Sequence, residues 1–117
     1  WGRIINISSF TAESGSFGQP AYGAAKAGLQ GLTRALALEG AKHQITVNAV
    51  LPGFIDTEAL RHLQPEMLEK IKNQIAMKRF ARPEEIADVV VFLASEASSY
   101  ITGASIPITG GADLFTF

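Results

Sequence analysis

The chain alternates between short apolar runs rich in β-branched residues and longer stretches in which apolar positions recur every three or four residues. Residues 3–8 hold Ile4, Ile5 and Ile7, the pattern of a short buried strand. Residues 11–19 mix Ser, Thr and Gly and are expected to form a loop. Pro20 stands where a first helical residue would, since its missing N–H costs nothing there. From Ala21 to about Gly40 the composition turns to Ala and Leu, and Leu29, Leu32 and Leu36 fall at helical spacing.

A second strand is expected over residues 45–50, closed by Leu51-Pro52-Gly53. Residues 58–62 and 65–75 read as two short helices. Arg82-Pro83-Glu84-Glu85 starts a third, with acids placed to complement the helix dipole. Ile86, Val90, Leu93 and Ala94 are its expected apolar face, and Thr102-Gly103 turns the chain into a last strand over residues 104–108. The order strand, helix, strand, helices, strand predicts an α/β fold with a parallel sheet and helical crossovers. Three such strands leave an edge open, where a parallel sheet normally has further neighbours. The chain also enters its first strand directly from Trp1-Gly2, so the other half of an α/β domain is expected upstream.

With 117 residues, 47% hydrophobic and 18% charged, the composition is that of a globular domain. A net charge of −1 lacks the Lys/Arg surplus of a nucleic-acid binder, so no nucleic-acid partner is expected. The absence of cysteine excludes disulfides and thiolate metal sites and suits a reducing, cytoplasmic setting. No apolar stretch approaches the roughly 18 residues that cross a bilayer, and no membrane partner is expected.

Tyr22 and Lys26 lie four apart on the long helix and therefore share one face. A lone phenol, titrating near pH ~10, is a poor acid–base group at neutral pH. An ammonium one turn away and a helix N-terminus both favour the phenolate, which suits the pair to proton transfer with a carbonyl or alcohol oxygen. Ser9 falls just past the first strand, at the C-terminal edge where parallel sheets bind ligands. Pro52-Gly53-Phe54-Ile55-Asp56-Thr57 leaves the second strand at the same edge, with peptide groups and a hydroxyl for an amide-bearing ligand. Each has a plainer reading when taken singly: a surface Tyr on a Lys stem, a Ser-Ser turn, a Pro-Gly turn. His43 and His62 read as surface residues, Asp56 and Glu58 as solvated helix-start acids, and Trp1 as packing against an element outside this chain.

Ser9, Tyr22-Gly23-Ala24-Ala25-Lys26-Ala27-Gly28, Thr46-Val47-Asn48-Ala49-Val50-Leu51-Pro52-Gly53-Phe54-Ile55-Asp56-Thr57, Arg79-Phe80-Ala81-Arg82-Pro83-Glu84-Glu85-Ile86-Ala87 and Tyr100-Ile101-Thr102-Gly103 follow one another in order. Together they resemble the short-chain dehydrogenase/reductase family, and within it the 3-oxoacyl-acyl-carrier-protein reductases. The resemblance implies the C-terminal part of a Rossmann-like doubly wound sheet, with residues 1–117 as the catalytic half of one domain and the dinucleotide-binding half outside it. It implies an NAD(P)-dependent oxidoreductase, with NADPH preferred over NADH. Tyr22 would be the acid/base. Lys26 would bind the nicotinamide ribose and favour the ionised Tyr22, and Ser9 would orient the substrate carbonyl. Pro52, Gly53, the Ile55 backbone and Thr57 would hold the nicotinamide carboxamide.

The resemblance further implies a small-molecule or acyl-thioester substrate, walled by residues 15–19 and 58–75. It also implies a homo-oligomer, dimer or tetramer, built through the long helix and the last strand. The family's glycine-rich phosphate loop, its NAD-or-NADP selecting residue, its Asn-Ala-Gly segment and a further catalytic Asn are not among these 117 residues. The chain alone is therefore expected to bind dinucleotide poorly and to turn over little. Two alternatives stand beside this reading: an inactive piece that keeps only an assembly interface, and a relative acting on another alcohol or ketone such as a sugar or steroid.

Overall fold

A computed structural model of the protein describes residues 1–114. Strands β1 (Gly2–Ile7), β2 (Ile45–Pro52) and β3 (Ser105–Ile108) form one parallel sheet in the order β1-β2-β3. The short helix α1 (Thr11–Ser14) and the long helix α2 (Pro20–Gly40) connect β1 to β2. Helices α3 (Glu58–Arg61), α4 (Pro65–Gln74) and α5 (Pro83–Ala94) lie between β2 and β3. This is the expected α/β class, with three parallel strands and helical crossovers.

The core sits on β2, which has a neighbour on each side and is buried from Thr46 to Pro52. Val47, Ala49, Val50 and Leu51 have no exposed surface, as a strand covered on both faces requires. Thr46 and Asn48 are the polar exceptions: the Thr46 hydroxyl has no hydrogen-bond partner among the described residues, whereas the Asn48 amide donates to the Ile101 carbonyl at 2.8 Å and its Oδ1 accepts from the Ala104 N–H at 3.0 Å. Together with the Thr102 hydroxyl, which accepts from the Val47 N–H at 3.0 Å, Asn48 ties the segment before β3 to the centre of the sheet.

Two local expectations change. Residues 11–14 are one helical turn where a loop was expected. The Glu13 and Ser14 N–H groups both donate to the Phe10 carbonyl, and Gly15 at φ 76° ends the turn. On α2 the buried residues are Gln30, Thr33 and Ala37, with Leu29 and Leu36 half-buried beside them and Leu32 exposed. On α5, Ile86 and Leu93 are buried, Val89 and Val90 half-buried, and Ala94 is exposed. Ala94 lies one step around the helix from Leu93 and falls off the stripe. His43, on a 3-10 turn after α2, and His62 are exposed, as expected.

Candidate active site

The end of β1 carries Ser8 and Ser9, both buried. The Ser9 hydroxyl shares a 2.9 Å hydrogen bond with the Thr11 hydroxyl and accepts the Thr11 N–H at 3.3 Å. This local turn is available to a Ser two residues ahead of a Thr. Across from it, Lys26 runs its side chain back along α2, with Nζ 5.6 Å from the centre of the Tyr22 ring and donating to the Ile7 carbonyl at 3.0 Å. Tyr22 is 44% exposed, and among the described residues its hydroxyl makes no hydrogen bond to Ser9 or Lys26. Tyr22, Lys26, Gln30, Thr33 and Ala37 follow one another at steps of four, four, three and four, so Tyr22 and Lys26 prolong the stripe that packs on the sheet. That stripe leads to the C-terminal end of β1, where Ser9 sits.

The second arm leaves β2 at the same edge. The Pro52 carbonyl accepts from the Phe10 N–H at 3.2 Å, and the rings of Phe10 and Phe54 meet edge-to-face at 5.4 Å. Gly53 donates to the Ile108 carbonyl at 2.9 Å, and a Cβ there would lie 3.0 Å from the Thr109 Cα. The close approach is thus to the chain's own backbone. Beyond it, the Ala81 N–H donates to the Phe54 carbonyl at 2.9 Å and the Asp56 N–H donates to the Ala81 carbonyl at 2.8 Å. In such a parallel bridge the Ile55 N–H and carbonyl point away from Ala81. Neither has a hydrogen-bond partner among the described residues. Thr57 caps α3, its Oγ1 accepting from the Leu60 N–H at 3.4 Å, which leaves the hydroxyl proton available.

Behind this arm lie two ion pairs. Asp56 is bound in bidentate fashion by Arg61 at 2.8 and 3.2 Å, so it is not the merely solvated acid expected. The Arg61 guanidinium holds the Asp56 carboxyl below its ordinary range. Arg79 grips Glu85 with two 2.8 Å bonds, and Glu85 also accepts from the Arg82 N–H at 2.8 Å. The Arg79 guanidinium and the Arg82 N–H together push the Glu85 carboxyl from 4.5 down to about 2. Trp1 is mostly exposed, with the Arg3 guanidinium 4.6 Å above its ring. No group of three or more His, Asp or Glu among the described residues could hold a metal ion.

Sequence reasoning brought Ser9, Tyr22, Lys26 and the 52–57 segment to one sheet edge, and the structure places them there. It missed Ser8, Thr11 and Ala81. The Ser-x-Thr spacing is a local signal that would have found Thr11. Nothing local marks Ala81, whose bridge to Ile55 spans the two intervening helices.

A parallel sheet whose C-terminal edge gathers a Tyr, a Lys and a Ser beside a turn with outward-facing peptide groups is the layout at which α/β folds bind ligands. A family profile described as enoyl-(acyl carrier protein) reductase matches residues 1–113. The chain belongs to the short-chain dehydrogenase/reductase family. It is 54% identical over 111 residues to the 3-oxoacyl-(acyl-carrier-protein) reductase of Pseudomonas aeruginosa, covering 95% of this chain and 45% of that protein. It is 47% identical over 111 residues, with the same coverage, to the acetoacetyl-CoA reductase of Allochromatium vinosum. The crystal structure of a candidate gluconate dehydrogenase from Agrobacterium tumefaciens matches with a TM-score of 0.93 at 36% identity, over 99% of this chain and 47% of that one. A candidate 2-deoxy-D-gluconate 3-dehydrogenase from the same organism, solved with bound NADP, matches with a TM-score of 0.88 at 40% identity, over 94% and 46%. The chain spans about half the length of the curated relatives it matches. No helix among the described residues is long and apolar enough to cross a membrane.

Proposed function

We propose that these residues form the acid–base half of an NAD(P)-dependent oxidoreductase that interconverts a carbonyl and an alcohol, with a 3-oxoacyl thioester as the carbonyl substrate. One observation carries the reading: Lys26 is anchored at the end of β1, with its ammonium 5.6 Å from the Tyr22 ring, beside Ser9 at the ligand-binding edge of the sheet. The thioester class is supported by the relatives named above, which reduce 3-oxoacyl and acetoacetyl thioesters by their names. NADPH is supported by the NADP bound to a structural neighbour. The nicotinamide end fits this edge, because the Ile55 N–H and carbonyl, unpaired among the described residues, are a donor and an acceptor of the kind a carboxamide matches.

Bound nicotinamide dinucleotide supplies a hydride to the carbonyl carbon in reduction and accepts it in oxidation. The chain's residues do the rest. The Ser9 hydroxyl donates to the carbonyl oxygen and fixes its direction, exchanging its Thr11 partner for the substrate. Tyr22 gives its phenolic proton to that oxygen in reduction and takes it back in oxidation. Lys26 stabilises the phenolate that proton donation leaves, as a positive charge beside a developing negative one does. The Ile55 peptide groups and the Thr57 hydroxyl would hold the carboxamide, with Pro52 and Gly53 setting the path of that segment.

The test uses the protein at its natural full length, with NADPH and acetoacetyl-CoA. Y22F is expected to lower turnover by roughly 10²–10⁴-fold, the range for a lost general acid, while NADPH binding is kept. Unchanged turnover removes Tyr22 from the chemistry. Turnover of sugar alcohols but of no 3-oxoacyl thioester retains the class and overturns the substrate. We also propose self-association through the outward face of α2, where Leu32 and Leu38 are 47% and 83% exposed.

A further inference from the structure

Ser8 is 3% exposed and lies beside the residues that do the chemistry without taking part in it. Its hydroxyl donates to the Lys26 carbonyl at 2.7 Å. The Ile7 carbonyl, one residue earlier, accepts from the Lys26 ammonium at 3.0 Å. Ile7, the last residue of β1, and Ser8 just after it therefore grip Lys26 at both ends, Ser8 at its main chain and Ile7 at its side-chain tip.

The main-chain grip is not needed to satisfy a polar group, because a carbonyl inside a helix already accepts from the N–H four residues on. What the extra bond sets is position. A lysine is a charge on a flexible four-carbon stem, so where its ammonium rests depends on where its Cα is held. A short, directional hydrogen bond from a buried hydroxyl fixes that point along β1, where apolar contact would tolerate sliding. Two turns further along α2 the same device recurs: the Asn6 amide donates to the Thr33 hydroxyl at 2.9 Å, from the same face of β1.

We propose that Ser8 is a positioning residue that sets the Lys26 ammonium relative to Tyr22 and Ser9 by clamping the Lys26 main chain. The inference rests on the reading of Tyr22 and Lys26 given above. It is tested in the full-length protein with S8A and with the pair S8T and S8V, which share one shape and differ only in the hydroxyl. S8A and S8V are expected to lose about tenfold or more in kcat for acetoacetyl-CoA reduction, and S8T to keep clearly more than S8V, as a misplaced catalytic group requires. The Lys26 Cε ¹³C resonance, which has no through-bond link to residue 8, is expected to shift in S8A as the ammonium leaves the Ile7 carbonyl. S8A only removes an atom, so it carries the test if the two larger side chains do not fold.

A Lys26 Cε resonance that stays in place in S8A overturns the proposal, as does an unchanged S8A kcat in an enzyme that Y22F inactivates. Equal kcat for S8T and S8V also overturns it, since volume alone would then explain the loss. If Y22F keeps turnover, the reading of Tyr22 falls instead, and the Lys26 resonance alone decides the Ser8 clamp.

Discussion

Helices α2 and α5 both cover the sheet, yet what they bury differs in kind. On α5 the buried residues are Ile86 and Leu93; on α2 they are Gln30, Thr33 and Ala37. Along β1, Asn6 and Ser8 turn to α2 through hydrogen bonds, while Arg3, of opposite parity, reaches the Ser95 carbonyl beyond the end of α5. Apolar burial scales with area and has no preferred direction, so it holds a helix against a sheet but specifies its position loosely. Hydrogen bonds do the reverse. Each adds little net stability, but each is strict about distance and angle. The helix that carries Tyr22 and Lys26 is the one whose position along β1 is set by polar contacts, which suits a site that must be placed accurately.

The comparison can be broken at several points. The largest effect is expected at Leu93, which has no exposed surface. L93A should cost about 2–5 kcal/mol in urea unfolding, through lost burial and the cavity left behind. A loss under about 1 kcal/mol would mean that apolar burial is not what holds α5.

Thr33 comes next. Its hydroxyl accepts from Asn6 and donates to the Leu29 carbonyl at 2.6 Å. T33V keeps the shape but leaves the Asn6 amide without that partner, for a cost of about 1–3 kcal/mol. A neutral T33V would place α2 beside α5 as a helix held by packing alone.

A smaller effect is expected at Glu85, because its ion pair with Arg79 is open to solvent. Its carboxyl is held near 2 in the folded chain against an ordinary 4.5. The stabilisation is therefore complete above about pH 4.5 and is lost as the pH falls through about 2. In denaturation series across that window, the advantage of the parent over E85Q should shrink steadily. An advantage that is constant with pH would show that the pair does not form. The smallest stability effect is expected at Leu38: L38S should change unfolding by less than about 0.5 kcal/mol. In sedimentation experiments the same variant should dissociate any assembly built on α2, and an unaltered sedimentation coefficient for an assembled parent would move the interface elsewhere.

Much of this was legible in the residues. Residues 45–50 read as a strand closed by Leu51-Pro52-Gly53, and the strand runs on to Pro52. Pro20 marked the start of α2, and Pro83 with two acids the start of α5, because their missing N–H groups and charges suit only that end of a helix. Tyr22 and Lys26 were paired by spacing alone, since a four-residue step is one turn. The packing face of α2 was not legible. Leu29, Leu32 and Leu36 marked a helix but not which residues it buries: Leu32 is exposed, and the buried Gln30 and Thr33 bond to Glu13 and Asn6, 17 and 27 residues away.

The sequence by itself determined the order of the strands and of the longer helices, the parallel α/β class and the residue types gathered at the candidate site. These depend on local periodicity, on the geometry of helix ends and on the chemistry of side chains a few positions apart. Only the tertiary structure decided that Ser8 and Ile7 hold Lys26 at both ends. It alone decided that Gly53 lies so close to Thr109 that a Cβ would crowd the backbone there, and that Ala81 turns the Ile55 peptide outward. Such contacts join residues up to 56 positions apart, and no local pattern encodes which backbone a distant segment will meet.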